Sequence, residues 1–295
     1  MKDVKQNSTR AWLLATRPKT LAAGSVPVLT ASALAYSMGG FQLIPAVLCL
    51  LFALLAQIAS NFSNDYFDFV KKTDNEERLG PARAVASGWI TPRYMLYGTI
   101  VVIALACFFG LGLIYYGGWL MVVLGAVCVL SLLAYTAGPF PLAYNGLGDV
   151  FVLVFFGWVA VVFSFYLQAG YFDSYAFVAG TAVGLGAINI LVLNNYRDRE
   201  NDKNSNKRTT IVLFGETFGR YFYLVNGFLA SLLCLCFIQL SIWAALLPLL
   251  YLPFHISTWK TMCSINKGKE LNKVLGLTAR NLVILGVLLS VGLIV

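Results

Sequence analysis

Apolar residues run in blocks of about 20 along almost the whole chain, and short polar breaks separate them. Each block is long enough to cross ~30 Å of hydrocarbon as a helix. The pattern predicts nine membrane spans: 21–38, 41–62, 95–116, 118–135, 149–170, 175–195, 221–240, 242–259 and 277–295. Gly39-Gly40, Gly117-Gly118 and Gly138-Pro139 punctuate the joins, as residues that end helices do. The expected architecture is all-α and polytopic: nine transmembrane helices around a central cavity that opens to the cytoplasmic side. The whole chain, 1–295, reads as a single membrane domain. It has a cytoplasmic N-terminal segment over 1–20 and two cytoplasmic loops, 63–94 and 196–220, that carry the chemistry.

Composition agrees. Hydrophobic residues make up 59% of the chain and charged residues 12%, about half the charged share of a soluble domain. The polar N-terminus lacks a signal-peptide pattern, so the first span is expected to drive insertion. The net charge of +8 is explained by topology and not by nucleic acid. The N-terminal tail, 63–94, 196–220 and 260–280 together hold all 21 Lys and Arg residues, and the short alternate joins hold none. The positive-inside rule places these four regions in the cytoplasm and the C-terminus outside. Five of the six cysteines fall in apolar spans and Cys263 in a basic loop, so no disulfide framework is implied.

The acidic residues are concentrated. Asp65, Asp68, Asp74, Glu76 and Glu77 follow the second span, and Asp198, Glu200 and Asp202 follow the sixth. Both stretches leave even-numbered spans, so they emerge on the same face. The shift of four spans suggests two four-helix halves with the ninth span added. On a helix, Asn61/Asp65 and Asn64/Asp68 are i,i+4 pairs, and Asn194, Asp198 and Asp202 form one stripe. Such oxygen donors suit Mg²⁺ beside a phosphate, with Mn²⁺ as an alternative. No Cys/His cluster favours zinc. Glu76, Glu77, Glu200 and Glu216 read as solvated partners of nearby Lys and Arg. The lone His255 reads as a packing or hydrogen-bonding residue. Arg83, Lys203, Lys207 and Arg208 are placed to neutralise phosphate oxygens. A cation-coupled transporter is the competing class, but its acids would sit at the midplane rather than at span ends.

N-D-Y-F-D at 64–68 with Asp74, and D-R-E-N-D at 198–202, resemble the paired aspartate motifs of UbiA-type intramembrane prenyltransferases. R-P-K-T at 17–20, N-G-L-G-D at 145–149, V-L-V-F-F-G-W at 152–158 and N-N-Y-R-D at 194–198 are similar to the branch of that family acting on 1,4-dihydroxy-2-naphthoate in menaquinone biosynthesis. Tyr135 is followed by TAGPFPLAY without a lysine, which departs from relatives that act on 4-hydroxybenzoate. The resemblance implies transfer of a polyprenyl group from its diphosphate to dihydroxynaphthoate, with loss of CO₂ and diphosphate. Prenylation of 4-hydroxybenzoate or homogentisate is the alternative. It further implies Mg²⁺ on Asn64, Asp68, Asp74, Asp198 and Asp202, and diphosphate on Lys203, Lys207, Arg208 and Arg83. Arg17, Lys19 and Asn194 are the candidates for the acceptor. Asp65, Lys203, Arg208 and Tyr135 are the candidates at the reacting atoms, and Tyr135, Phe155 and Phe156 would line the prenyl pocket. The implied partners are a polyprenyl diphosphate, an aromatic acid and membrane lipid, with no nucleic acid. The implied location is a bacterial inner membrane.

Overall fold

The computed structural model describes residues 4–71 and 79–295. Among them there are helices and no strands. A short helix, α1 (Thr9–Ala15), precedes nine apolar helices. These are α2 (Leu21–Ser37), α3 (Leu43–Val70), α4 (Pro92–Gly112), α5 (Leu120–Ala134), α6 (Gly148–Ala169), α7 (Ser174–Asn204), α8 (Thr210–Gln239), α9 (Ile242–Ile265) and α10 (Leu271–Ile294). Eight are long enough to cross a membrane, counting α1 and α2 as one run, and α5 is shorter. All nine expected spans are therefore helices. All six cysteines are free.

The helix ends differ from the expected span ends in a way that matters. α3 runs to Val70 and α7 to Asn204, eight and nine residues past the hydropathy boundary. Both acidic stripes thus begin on rigid helix ends and not in loops. Hydropathy marks where lipid stops, whereas a helix continues while its backbone bonds are satisfied. The same reasoning moves the start of α10 back to Leu271, six residues before the expected span start at 277, so Lys273 belongs to a helix and not to a loop. Cys263 likewise lies in α9.

Most of α7 is buried. It packs against α6, α8 and α10 and forms the centre of the bundle. Small residues permit the closest approach. A Cβ on Gly157 of α6 would lie 2.6 Å from the Gly180 carbonyl oxygen of α7. Leu153–Phe163 within α6 is a π-helical stretch, a form that recurs at functional sites. It turns Phe155, Phe156, Val159 and Ala160 toward a cavity of about 530 Å³. That cavity is apolar and is bounded by α2 to α6. Val28, Cys49, Leu113, Met121 and Leu167 line it as one packed cluster.

On the other side of α7, His255 is fully buried between the rings of Tyr223 and Tyr251. Its Nδ1 lies 3.1 Å from the Tyr251 hydroxyl and its Nε2 3.0 Å from the Leu224 carbonyl oxygen. The packing role expected for it is the one it has. Gly227 makes room for this ring, since a Cβ there would stand 2.1 Å from Nε2. Gly227→Ala is therefore expected to destabilise the protein by about 3 kcal/mol, the upper end of ordinary overpacking costs. A lowered Tm in detergent checks this, and an unchanged Tm would show that the α8–α9 contact is loose.

Candidate active site

The two acidic helix ends meet. Asp202 lies close enough to Asp68 and Asp198 to feel both charges, and the Tyr135 hydroxyl feels Asp149, Asp68 and Asp202. The segment after α5 joins them. Thr136 donates to Asn64 Oδ1 at 2.9 Å, and the Tyr144 hydroxyl donates to Asp68 Oδ1 at 3.1 Å. The Tyr144 ring carries the ammonium groups of Lys71 at 4.9 Å and Lys207 at 5.6 Å. Lys207 also faces Asp202 at 3.5 Å. One tyrosine thus connects both motifs and two cations.

Three motif carboxylates, Asp68, Asp198 and Asp202, have a basic neighbour. Arg83 Nη2 contacts Asp68 Oδ2 at 2.6 Å, and both groups are nearly buried. Arg197 forms a two-pronged pair with Asp198 through Nε at 2.9 Å and Nη2 at 2.6 Å. Its Nη1 donates to Asn272 Oδ1 on α10, and Asn272 donates in turn to the Leu79 carbonyl. The second motif is thereby locked to the loop that follows the first. Asp202 Oδ2 is buried without a hydrogen-bond partner, a costly position for a charge unless the site supplies a counter-ion. Among the described residues no three His, Cys, Asp or Glu side chains gather into a ready metal cage. The donors available for a hard cation are instead single carboxylates from two helices plus Asn64, and such a set suits an ion that keeps several waters and phosphate oxygens.

Other expected site residues fall in several places. Asp74 lies outside the described residues. Asp65 is 1% exposed, and its oxygens accept from the Ala84 and Val85 backbone N–H groups at 2.9 and 3.0 Å. Both oxygens are taken by the loop, which favours a scaffold part for Asp65 over its candidacy at the reacting atoms. Lys203 and Arg208 have exposed side chains at the mouth, and the Arg208 backbone N–H donates to the Tyr144 carbonyl. Asn194 is partly buried and donates to the Ile190 carbonyl of its own helix. Arg17 sits at a left-handed turn, φ 52°, between α1 and α2. Asn61 pins that turn by donating to the Thr16 carbonyl at 2.9 Å and to Thr20 Oγ1 at 3.0 Å. Lys19 is exposed beside it. Glu216, read as a partner of nearby bases, pairs with Arg199 and Arg220.

Tyr135 marks the passage from charge to grease. Its ring packs on Phe151 at 5.0 Å, and Phe151 packs on Phe155 at 4.5 Å. Phe151, Phe155 and Phe156 all line the cavity. A polar head held by the acids can therefore continue into an apolar tail in one direction. α5 packs on α3 and α4 and barely touches α6, so the cavity occupies the seam between α5 and α6.

A model of the UbiA prenyltransferase family matches residues 25–275, most of the chain. The chain belongs to the UbiA prenyltransferase family. The chain is similar to curated relatives over most of its length. It is 38% identical over 257 residues to the 1,4-dihydroxy-2-naphthoate octaprenyltransferase of Escherichia coli K12, covering 82% of each chain. It is 32% identical to the protein of the same name from Haemophilus influenzae, covering 100% of this chain and 99% of that one. Among solved structures, a UbiA homologue from Aeropyrum pernix K1 superposes with a TM-score of 0.68 at 16% identity, over 92% of this chain and 97% of that chain. A UbiA homologue from Archaeoglobus fulgidus bound to DMAPP and Mg²⁺ gives a TM-score of 0.61 at 16% identity, over 95% and 99%. At that identity these two structures speak for the UbiA fold.

Four site residues receive no role from the UbiA resemblance: Lys71, Tyr144, Asp149 and Arg197. Asp149 sits in the N-G-L-G-D stretch and accepts from Thr210 Oγ1 at 2.6 Å, which ties the start of α6 to the start of α8. Tyr144 belongs to a loop whose proximity to Asp68 no spacing reveals. Tyr144→Phe keeps the ring under the lysines and removes the bond to Asp68. A hydrogen bond to a charged group is worth about 1.5–3 kcal/mol, so kcat/KM for the diphosphate donor is expected to fall about 10–100-fold. Steady-state kinetics across donor concentrations test it, and an unchanged value would confine Tyr144 to a structural part.

Proposed function

We propose that this protein transfers a polyprenyl group from polyprenyl diphosphate to 1,4-dihydroxy-2-naphthoate, releasing diphosphate and CO₂ and giving demethylmenaquinol. The observation that carries this reading is the continuity of the convergent acids, through Tyr135 and Phe151, with an apolar cavity. A headgroup with several negative charges and a long hydrocarbon tail has that shape. The curated relatives named for this reaction, 30–38% identical, favour the naphthoate over other aromatic acids.

Asn64, Asp68, Asp198 and Asp202 would hold Mg²⁺, with Mn²⁺ a possible substitute, and Asp74 is a further candidate ligand. When bound, Mg²⁺ neutralises charge on the diphosphate and makes it a better leaving group. As the carboxylates turn to that task, Arg83 and Lys207, which pair with them here, take phosphate oxygens. Lys71, Lys203 and Arg208 complete the positive rim. Phe151, Phe155 and Phe156 exclude water from C1 of the prenyl chain and face the positive charge that grows there with aromatic π density. The electron-rich ring carbon bearing the carboxylate bonds to C1, and the C1–O bond breaks with its electron pair going to diphosphate. Loss of CO₂ then returns electrons to the ring. Arg17, Lys19 and Asn194 are the proposed holders of the acceptor. The chain works as one domain, and the motif side of the bundle faces the cytoplasm of a bacterial inner membrane with the C-terminus outside.

The test is purified protein with Mg²⁺, an octaprenyl diphosphate and a panel of aromatic acids, followed by mass spectrometry. A decarboxylated prenyl-naphthoquinol that disappears with EDTA is the expected product. Product from 4-hydroxybenzoate in its place would move the assignment to another acceptor. Ion flux in liposomes without any prenylation would overturn the enzyme reading.

A further inference from the structure

Arg280 has no place in the chemistry above, and its surroundings are unusual. It lies nine positions past Leu271, the start of α10, roughly 13 Å along the helix axis. The 24 residues of α10 span roughly 36 Å against ~30 Å of hydrocarbon. Arg280 therefore sits below the hydrocarbon boundary on the motif side, and it is exposed on the outside of the bundle. A charge there is expensive and marks a functional position by default.

The guanidinium is also held in place. Asn281, 1% exposed, donates to Thr258 Oγ1 at 2.9 Å and to the Phe254 carbonyl at 3.3 Å, both on α9. Its Oδ1 accepts from Arg280 Nη2 at 3.0 Å. The guanidinium carbon lies 5.6 Å from the centre of the Phe254 ring. A buried amide and an aromatic face thus fix the cation, while no carboxylate among the described residues forms an ion pair with it. Gly276 is four positions nearer the helix start, on the same face, and a Cβ there would meet nothing within 4 Å. Lys273 lies on that face one turn further out, exposed and paired with Glu270. Gly276 leaves this face open beside the held, exposed guanidinium, a shallow notch one side chain deep on the headgroup side.

We propose that this notch on α10, backed by Phe254 of α9, binds the phosphate of a net-anionic phospholipid. Guanidinium has five N–H donors, and the bonds to Asn281 leave several for phosphate oxygens, which it recognises better than an ammonium does. Charge complementarity favours a headgroup of net negative charge, because a zwitterionic lipid brings its own counter-ion. The lipid acyl chains would cover the apolar faces of α9 and α10 beside the notch. This inference does not depend on the prenyl-transfer reading.

The experiment is native mass spectrometry of the full-length protein in mild detergent, titrated with phosphatidylglycerol or with phosphatidylcholine of the same acyl chains. The wild type is expected to take up one phosphatidylglycerol about tenfold more tightly than phosphatidylcholine. Arg280→Gln should abolish that preference, Arg280→Lys should keep part of it, and Lys273→Gln should leave it intact. Should Arg280→Gln misfold, Phe254→Leu tests the same site with the charge retained and is expected to weaken the preference several-fold. Equal binding of the two lipids by the wild type overturns the proposal. So does a preference that survives in Arg280→Gln, or displacement of the lipid by inorganic phosphate alone, which would mark a free-anion site.

Discussion

Asp202→Asn is expected to lower kcat on the order of 10³-fold, the scale seen when one charge-stabilising group is removed from an active site, while leaving Tm unchanged or raised. The two halves of this prediction share one cause. The Asp202 carboxylate is buried, and among the described residues its Oδ2 has no hydrogen-bond partner and its ion-pair partner, Lys207, stands 3.5 Å away. Desolvating a charge so poorly compensated costs stability. An amide of the same shape removes that cost and, with it, the negative oxygen that a divalent cation needs. A surface acid paired with lysine would behave differently, since its loss would change neither quantity by much. The same substitution should abolish the dependence of thermal stability on added Mg²⁺, because an ion that binds only the folded state raises Tm by mass action. Thermal shifts with and without Mg²⁺, read beside turnover, separate a metal ligand from a structural acid. Activity within tenfold of wild type would remove Asp202 from the site.

Much of this was legible from residue pattern because a membrane enforces it. Every apolar block that had to cross lipid became a helix, since no other open structure satisfies its backbone there. That left little freedom in the positions of helices α2 to α10. Even-numbered exits also place Asp68 and Asp202 on one face. What pattern did not resolve was the division of labour within a single turn. Asn61 and Asp65 share one face of α3 and Asn64 and Asp68 the next, and composition treats the pairs alike. In the structure the first pair builds the scaffold: Asn61 pins the turn at Arg17 and Asp65 holds the 84–85 backbone. The second pair meets Thr136, Tyr144 and Arg83. Tyr144 and Arg197 were invisible for a different reason. Tyr144 meets Asp68 across 76 positions and Arg197, beyond its pair with adjacent Asp198, meets Asn272 across 75, relations fixed by helix packing and not by spacing. Lys273 fell outside the expected ninth span because a hydropathy boundary is drawn where charges appear, even when the helix has already begun.

The division within α3 yields the second large effect. Asp65→Ala is expected to destabilise the protein by about 2–5 kcal/mol, since two buried backbone N–H groups lose a charged acceptor and each unsatisfied group costs about 1–3 kcal/mol. The loop they belong to carries Arg83, so activity should fall with stability as that guanidinium loses its alignment on Asp68. Asp65→Asn separates this account from a catalytic one. The amide keeps one acceptor oxygen for Ala84 or Val85 and turns an N–H₂ toward the other, so roughly half of the stability loss is expected, with a proportionate loss of turnover. A group that takes a proton from the acceptor hydroxyl would give the opposite signature: Asp65→Asn would abolish turnover and leave Tm untouched. The burial of Asp65 at 1% exposure, with its oxygens taken by backbone, decides for the first outcome. Such a carboxylate has no open side from which an aromatic substrate can approach, and its strongest interactions are with groups that never leave.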